Sequence, residues 1–167
     1  MSPVVRLGLA AALGLCAAPA LAFEANGIDL GANEAHVRKV LPSAHCKPLE
    51  WTSRAADRRC DDARIVFAGI QARITIYLKD DAVQAWDVRF PTNELQRVGT
   101  WLRQRWGAPA SEGKSLIQRK EQETREVYNM SWTRGKDRAA LTAQMEKKRA
   151  WVTVSRGDFE EEIYRVR

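Results

Sequence analysis

Two histidines and two aspartate pairs are the side chains with which this chain could perform acid–base or metal chemistry. His36 and His45 are the two histidines among 167 residues, so general acid–base catalysis by an imidazole would depend on one of them. The aspartate pairs at 61–62 and 80–81 could hold a divalent cation, but the second stands where a hairpin loop favours aspartate. The sequence has no glycine-rich phosphate loop, no serine elbow and no Cys-x-x-Cys pair. It therefore names no catalytic residue.

Residues 1–22 have the pattern of a signal peptide. Arg6 is followed by an apolar run at 7–18 and by Ala-Leu-Ala at 20–22, the small-x-small pattern that precedes cleavage. The run is shorter than the roughly 20 residues of a membrane span. Leu15 before Cys16 does not fit a lipid-anchoring site. We therefore expect an exported protein, periplasmic or secreted, with no transmembrane anchor and one mature domain at 23–167.

Removal of the leader leaves Cys46 and Cys60 as the cysteines of the mature chain. In an oxidising compartment a single disulfide between them is expected. It would close a loop of about 15 residues, for which the loop-entropy model gives roughly 3 kcal/mol of stabilisation. A metal site made by His45, Cys46, Cys60 and Asp61 is the alternative, although this spacing matches no zinc pattern.

The mature chain carries an excess of positive charge. The leader holds one of the 27 basic residues and none of the 21 acidic ones, which leaves 26 basic and 21 acidic side chains, a formal charge of +5. Such a surface favours anionic partners. Outside the cytosol these are lipid head groups, lipopolysaccharide phosphates, cell-wall carboxylates or an acidic protein, rather than nucleic acid. A surface kept soluble by arginine is the simpler alternative.

Alternating apolar residues predict the first strands, at 70–78 and 86–90, with the even positions on one face. A three-residue loop at 79–81 would place Ile74 opposite Trp86. Helical spacing predicts a short first helix capped by Asn33 and a second helix with its apolar side formed by Leu95, Val98, Leu102 and Trp106.

The C-terminal part predicts a three-stranded meander. Pairing Trp132 with Leu141, and Met145 with Ala150, places the apolar residues of all three strands on one face. Each antiparallel group of strands is polar on one face and apolar on the other. The apolar face must be buried, and helices packed on it can do this. The predicted fold class is α+β, in the order α-βββ-α-βββ with helices on one face of the sheet and one disulfide. Residues 52–59 are expected to form a loop whose base the disulfide pins. Residues 108–124 are expected to be a mobile segment, with a short strand at 115–119 as the alternative.

Trp151 is the aromatic residue that this register does not place in the core. It would stand on the polar face of the meander, where an indole surrounded by polar and basic groups suits recognition of a protein or a glycan. The neighbours expected on the same face or in the adjoining turn are Thr142, Gln144, Thr153, Lys147, Lys148 and Arg149. Trp101, beside the apolar stripe of the second helix, is a second candidate. Burial of both indoles under neighbouring segments is the alternative.

The opening Gly27-Ile28-Asp29-Leu30-Gly31, followed by a short helix that stops at Pro42, resembles small exported bacterial proteins of the β-lactamase inhibitory protein repeat and BamE-like kinds. A helix that ends in Trp-Gly-x-Pro at 106–109 is similar to their relatives. This resemblance implies a helix-on-sheet binding scaffold without a cofactor.

The sequence therefore predicts a non-enzymatic exported binding module, possessing neither cofactor nor metal, that acts as an inhibitor or an envelope-assembly accessory on a protein or anionic partner. A cell-envelope hydrolase that uses His36 or His45 is the alternative from another class. A cationic binder of lipopolysaccharide or cell wall is the third hypothesis.

Overall fold

The computed structural model describes residues 22–118 and 124–163. The predicted signal peptide lies outside the described residues, apart from Ala22. Within the described ranges no helix has the length and apolarity needed to cross a membrane.

Strands dominate the described chain, with four before the main helix and four after it. The strands are β1 (His45–Pro48), β2 (Arg58–Phe67), β3 (Ile70–Lys79), β4 (Ala82–Pro91), β5 (Ser111–Gln118), β6 (Thr124–Arg134), β7 (Asp137–Gln144) and β8 (Arg149–Arg156). The helices are α1 (Glu34–Val40), α2 (Leu95–Trp106), which continues a 3-10 turn at Thr92–Glu94, and α3 (Phe159–Glu162).

All eight strands belong to one antiparallel sheet in the order β1-β2-β3-β4-β8-β7-β6-β5. Each half is a four-stranded meander, and the halves join where β4 pairs with β8. The predicted α+β order α-βββ-α-βββ is therefore wrong. The described part of the chain is mostly β, with a single continuous sheet and three short helices.

The strands that the sequence did not reveal lack a clean apolar alternation. β2 begins inside the stretch at 52–59 that was expected to be a loop, and an irregularity between Asp62 and Ile65 interrupts its period of two. β1 and β5 are the two edges of the sheet. Edge strands can be polar because one side of their backbone pairs while the other faces solvent.

The first hairpin has a different register from the predicted one, because Ile74 pairs with Val88 rather than with Trp86. The turn has two residues, at 80–81, and both have positive φ, 49° and 61°, as a type I′ turn requires. An extra residue in β4, Gln84, then shifts the register once more. The two effects together keep the even-numbered residues of the hairpin on one face.

The C-terminal meander shows the predicted faces in a register shifted by two residues. Leu141 pairs with Met130 instead of Trp132, and the next hairpin is shifted in the same way. An even shift leaves every side chain on its predicted face. Trp151 accordingly stands on the polar face, as the sequence predicts, but opposite Thr142 rather than Gln144.

The other face of the sheet carries the core beneath α2. Val98, Leu102 and Trp106 of this helix are buried, as their spacing predicts. Gly99 faces the sheet, where an added Cβ would make ordinary van der Waals contact with the Met130 Sδ and the Leu141 Cδ2 atoms at 3.8 Å.

Phe23, the first residue of the predicted mature chain, belongs to this core. Its ring is 2% exposed and packs edge-on against Trp106, with 5.0 Å between ring centroids. The Arg134 guanidinium lies 4.5 Å from the centroid of the Phe23 ring. The aromatic contacts therefore hold the start of the described chain against the end of α2.

The predicted disulfide is confirmed. Cys46 and Cys60 are bonded to each other and are direct partners across β1 and β2. The bond fastens a four-residue edge strand to the sheet. Disulfides persist in oxidising environments, so this bond fits an extracellular location.

Candidate functional site

The face of the sheet opposite α2 is covered at one end only within the described residues. There α3 places Phe159 and Ile163 over Tyr77 and Ala85, with 5.3 Å between the Tyr77 and Phe159 ring centroids. The Trp51 Nε1 donates to the Ile163 carbonyl oxygen at 2.9 Å. The remainder of this face is called the open face below.

Strand pairing arranges five side chains in one row across the middle of the open face. Arg73 of β3 is the partner of Arg89 of β4, which is the partner of Trp151 of β8. Thr142 of β7 and Asn129 of β6 continue the row on the other side of Trp151. The row therefore changes from cationic to neutral polar at the indole.

A cavity of about 960 Å³ lies on the open face beside this row. This volume is at the upper end of the range for ligand pockets. The described residues that line it come from β2, β3, β4, β6, β7, β8 and the β7–β8 turn: Ala63, Arg64, Gln71, Ala72, Arg73, Asp87, Arg89, Phe90, Pro91, Arg125, Val127, Gln144, Lys147, Lys148, Arg149 and Trp151.

Positive charge is concentrated on this lining. Among the described residues that line the cavity, seven are basic and one, Asp87, is acidic. The described residues include 22 basic and 19 acidic side chains, so taking away the seven basic and one acidic residues of the lining leaves 15 basic and 18 acidic. The lining therefore carries a formal charge of +6, whereas the other described residues together carry −3.

Several of these cations have no counter-charge among the described residues. Within 22–118 and 124–163, the side chains of Arg64, Arg73, Lys148 and Arg149 form no ion pair and no hydrogen bond. Most described arginines outside the lining pair with carboxylates, as in the contacts Arg38–Glu34, Arg58–Glu34, Arg59–Asp61, Arg103–Glu112, Arg105–Glu24 and Arg156–Asp137. Arg64, Arg73, Lys148 and Arg149 are therefore the lining cations most available to a ligand.

Asp87 is the carboxylate of the cavity lining, and it pairs with Arg89. The Arg89 Nε lies 2.7 Å from the Asp87 Oδ1, with side-chain exposures of 59% for the arginine and 15% for the aspartate. Burial raises the pKa of the Asp87 carboxyl, and the attraction of Arg89 opposes this shift. The pair orients the Arg89 guanidinium beside Trp151.

Trp151 is half-buried at the centre of the row. Its indole Nε1 has no hydrogen-bond partner among the described residues. The Nε1 atoms of Trp86 and Trp106 are buried without a partner, whereas that of Trp151 is not among the buried unpaired atoms. The amides of Gln71 and Gln144, which also line the cavity, likewise have no partner in the described ranges. The cavity thus offers the Trp151 indole and neutral hydrogen-bonding groups as well as charge.

The structure brings most of the sequence-predicted site residues together and separates one. Trp101 lies on α2, on the other side of the sheet, with its ring 5.0 Å from that of Phe67 and 5.2 Å from the Arg105 guanidinium. Thr142 and Thr153 neighbour Trp151 on the open face without lining the cavity. The residues that line it are Gln144, Lys147, Lys148, Arg149 and Trp151.

The sequence also contained residues of this cavity that were not recognised, chiefly Arg64, Arg73 and Arg89. Arg73 and Arg89 occupy odd positions in the first hairpin, whose even positions were assigned to the core. Alternation alone therefore placed them on a polar face. The missing information was the β4–β8 pairing, which joins that face to the face of Trp151.

The histidines lie apart from the described cavities. His36 lies on α1, with its Nε2 2.9 Å from the Gly27 carbonyl oxygen. His45 lies on the edge strand β1, where Asp61 of β2 is its partner in the strand register. Neither lines this cavity or the smaller one beside α3.

The candidate metal ligands have structural partners. The disulfide uses both thiols of the cluster formed by Glu34, Cys46 and Cys60, so these sulfurs are not thiolate ligands. Asp61 accepts hydrogen bonds from Arg59 Nε and Thr75 Oγ1, at 2.7 Å and 2.8 Å. The pair at 80–81 forms the type I′ turn.

No protein-family model matches the chain, and no curated protein or solved structure shows significant similarity to it.

Proposed function

We propose that the protein is an exported, non-enzymatic binding module that holds an anionic ligand on its open face. The single observation that carries the proposal is the concentration of seven basic residues against one acidic residue on the described lining of one cavity. A concave surface of one sign focuses the electrostatic potential and attracts ligands of the opposite sign. Guanidinium groups without partners suit carboxylates and phosphates, which they can bind through two hydrogen bonds.

The predicted signal peptide and the disulfide support action in the periplasm or outside the cell. Anions in that setting include lipopolysaccharide phosphates, cell-wall carboxylates and acidic protein surfaces. An inhibitor or an envelope-assembly accessory is a narrower form of the same proposal, in which the anion belongs to a protein.

Calorimetric titration with anionic probes tests the proposal. The probes are hexagalacturonate, the phosphorylated oligosaccharide from deacylated lipopolysaccharide, and hexaglutamate, each titrated into the oxidised mature protein at low salt. We expect at least one to bind, and Arg73→Gln to weaken that binding at least fivefold. Screening by about 1 M salt should abolish it.

Arg97→Gln is the matched control. Arg97 is 62% exposed on α2 and is separated from the open face by the sheet, so its substitution removes the same charge from the other side. Equal weakening by Arg97→Gln and Arg73→Gln, or no binding of any probe, would contradict the proposed site.

A further inference from the structure

The row across the open face offers an anionic ligand more than charge. We infer that the ligand is an acidic oligosaccharide, with a sugar ring against Trp151 and its carboxylate or phosphate groups bound by Arg73, Arg149 and the neighbouring cations. This inference rests on the proposed function and adds the chemical class of the ligand.

The position of Trp151 favours a sugar ring. The indole lies between Arg89 and Thr142 in the row and between Arg149 and Thr153 along β8. An indole presents an apolar surface together with one N–H donor, which matches a pyranose ring with its C–H face and its hydroxyl groups. The Trp151 Nε1 has no partner among the described residues and is accessible to such a hydroxyl.

Neutral hydrogen-bonding groups stand where further hydroxyls would lie. Gln144 is the partner of Arg149 across β7 and β8, and Gln71 lines the cavity from β3. Each amide both donates and accepts hydrogen bonds, and neither has a partner in the described ranges. An inorganic anion would use the cations and leave these amides unused.

The composition of the lining argues against an acidic protein surface as the ligand. The centres of protein interfaces are depleted in charged residues other than arginine and are enriched in apolar and aromatic ones. Here charged side chains make up half of the described lining, eight of sixteen residues. The exposed large apolar residues of the described chain, Val66, Leu116 and Met145, do not line it.

Two kinds of acidic group fit the arginines equally well. Carboxylates of uronic acids and phosphates of lipopolysaccharide sugars both accept paired hydrogen bonds from guanidinium. The shared chemistry is a sugar ring with an attached acid, and the two charged saccharide probes separate its sources.

The test compares matched probes on wild type, Trp151→Ala and Trp151→Phe by calorimetric titration. Hexagalacturonate, or the phosphorylated oligosaccharide, should bind at least tenfold more tightly than hexaglutamate and than neutral maltohexaose. Trp151→Ala should weaken the saccharide at least tenfold and hexaglutamate less than twofold. Trp151→Phe keeps an aromatic face and should retain part of the affinity, which also covers the case in which the alanine variant does not fold.

The outcomes separate the two proposals. Equal affinity for hexaglutamate and the acidic saccharides, or a Trp151→Ala variant that binds saccharide like wild type, overturns the saccharide inference, while loss of binding in Arg73→Gln would still support an anion site. Failure of every anionic probe to bind overturns both proposals.

Discussion

At the scale of single residues, the open face places like charges side by side. Arg73 and Arg89 are direct partners across β3 and β4, and directly opposed like charges destabilise a sheet. Arg89 has a carboxylate partner in Asp87, whereas Arg73 has none among the described residues. A ligand anion would offset this repulsion, so the arrangement is easier to explain by binding than by folding.

Arg73→Gln should therefore separate stability from binding. Relief of the repulsion should raise the free energy of unfolding by about 0.5 kcal/mol, while affinity for the anionic probe falls. Denaturant unfolding at low salt and at about 1 M salt measures the first effect, which should vanish when charges are screened. A variant that is less stable than wild type and binds equally well would contradict this explanation.

Asp87 gives a pH dependence of known sign. Its pKa in the folded protein is raised above the ordinary value of 3.8, so the folded state binds this proton more tightly than the unfolded state does. Its contribution to the free energy of unfolding should fall as the pH rises from 3.8 through the raised pKa.

Asp87→Asn removes that contribution. The difference in the free energy of unfolding between wild type and variant, followed by denaturant unfolding across this pH range, measures it. Asp158→Asn, an exposed aspartate beside α3, is the control. The free energy of unfolding of wild type, relative to that of Asp87→Asn, should fall as the pH rises. If this difference stays constant or increases, the predicted direction of the pH dependence is wrong.

At the scale of elements, the short edge strand β1 depends on its disulfide. It has four residues, and its Cys46 is bonded to the directly opposed Cys60. Cys46→Ala with Cys60→Ala should lower the free energy of unfolding by about 3 kcal/mol, the loop-entropy figure for about 15 residues.

Denaturant unfolding with and without reductant checks this expectation. The oxidised wild type should lose a similar amount on reduction, and the double variant should be insensitive to reductant. Unchanged stability of the double variant would mean that β1 is held without the bond.

The local sequence pattern predicted which faces of the strands and of the main helix are buried. It predicted the number of strands and their register less well. Alternation identified the faces of β3, β4, β7 and β8, and helical spacing identified the buried side of α2, because burial selects residue types at a fixed period. The polar edges β1 and β5 and the interrupted β2 carried no such period. The register of the first hairpin was wrong because the extra residue Gln84 cannot be recognised from composition.

At the scale of the whole molecule, one long-range pairing creates the candidate site. β4 and β8 belong to different meanders, and their pairing joins Arg73 and Arg89 to Trp151. The sequence predicted the neighbourhood of Trp151 on its own meander, but no local signal specifies which strands of two meanders meet. The part of the site on β7, β8 and the turn between them was therefore predictable, and the part contributed by β2, β3 and β4 was not.

The most direct test is a heteronuclear NMR titration that follows the six tryptophan indole N–H resonances, assigned by single substitutions, as hexagalacturonate or the phosphorylated oligosaccharide is added. We predict a saturable shift of the Trp151 indole that requires at least fivefold more probe in Arg73→Gln, with the Trp101 indole unchanged on the other side of the sheet. A saturable shift at Trp101 with none at Trp151, or no shift at any indole, would contradict an anion-binding site on the open face.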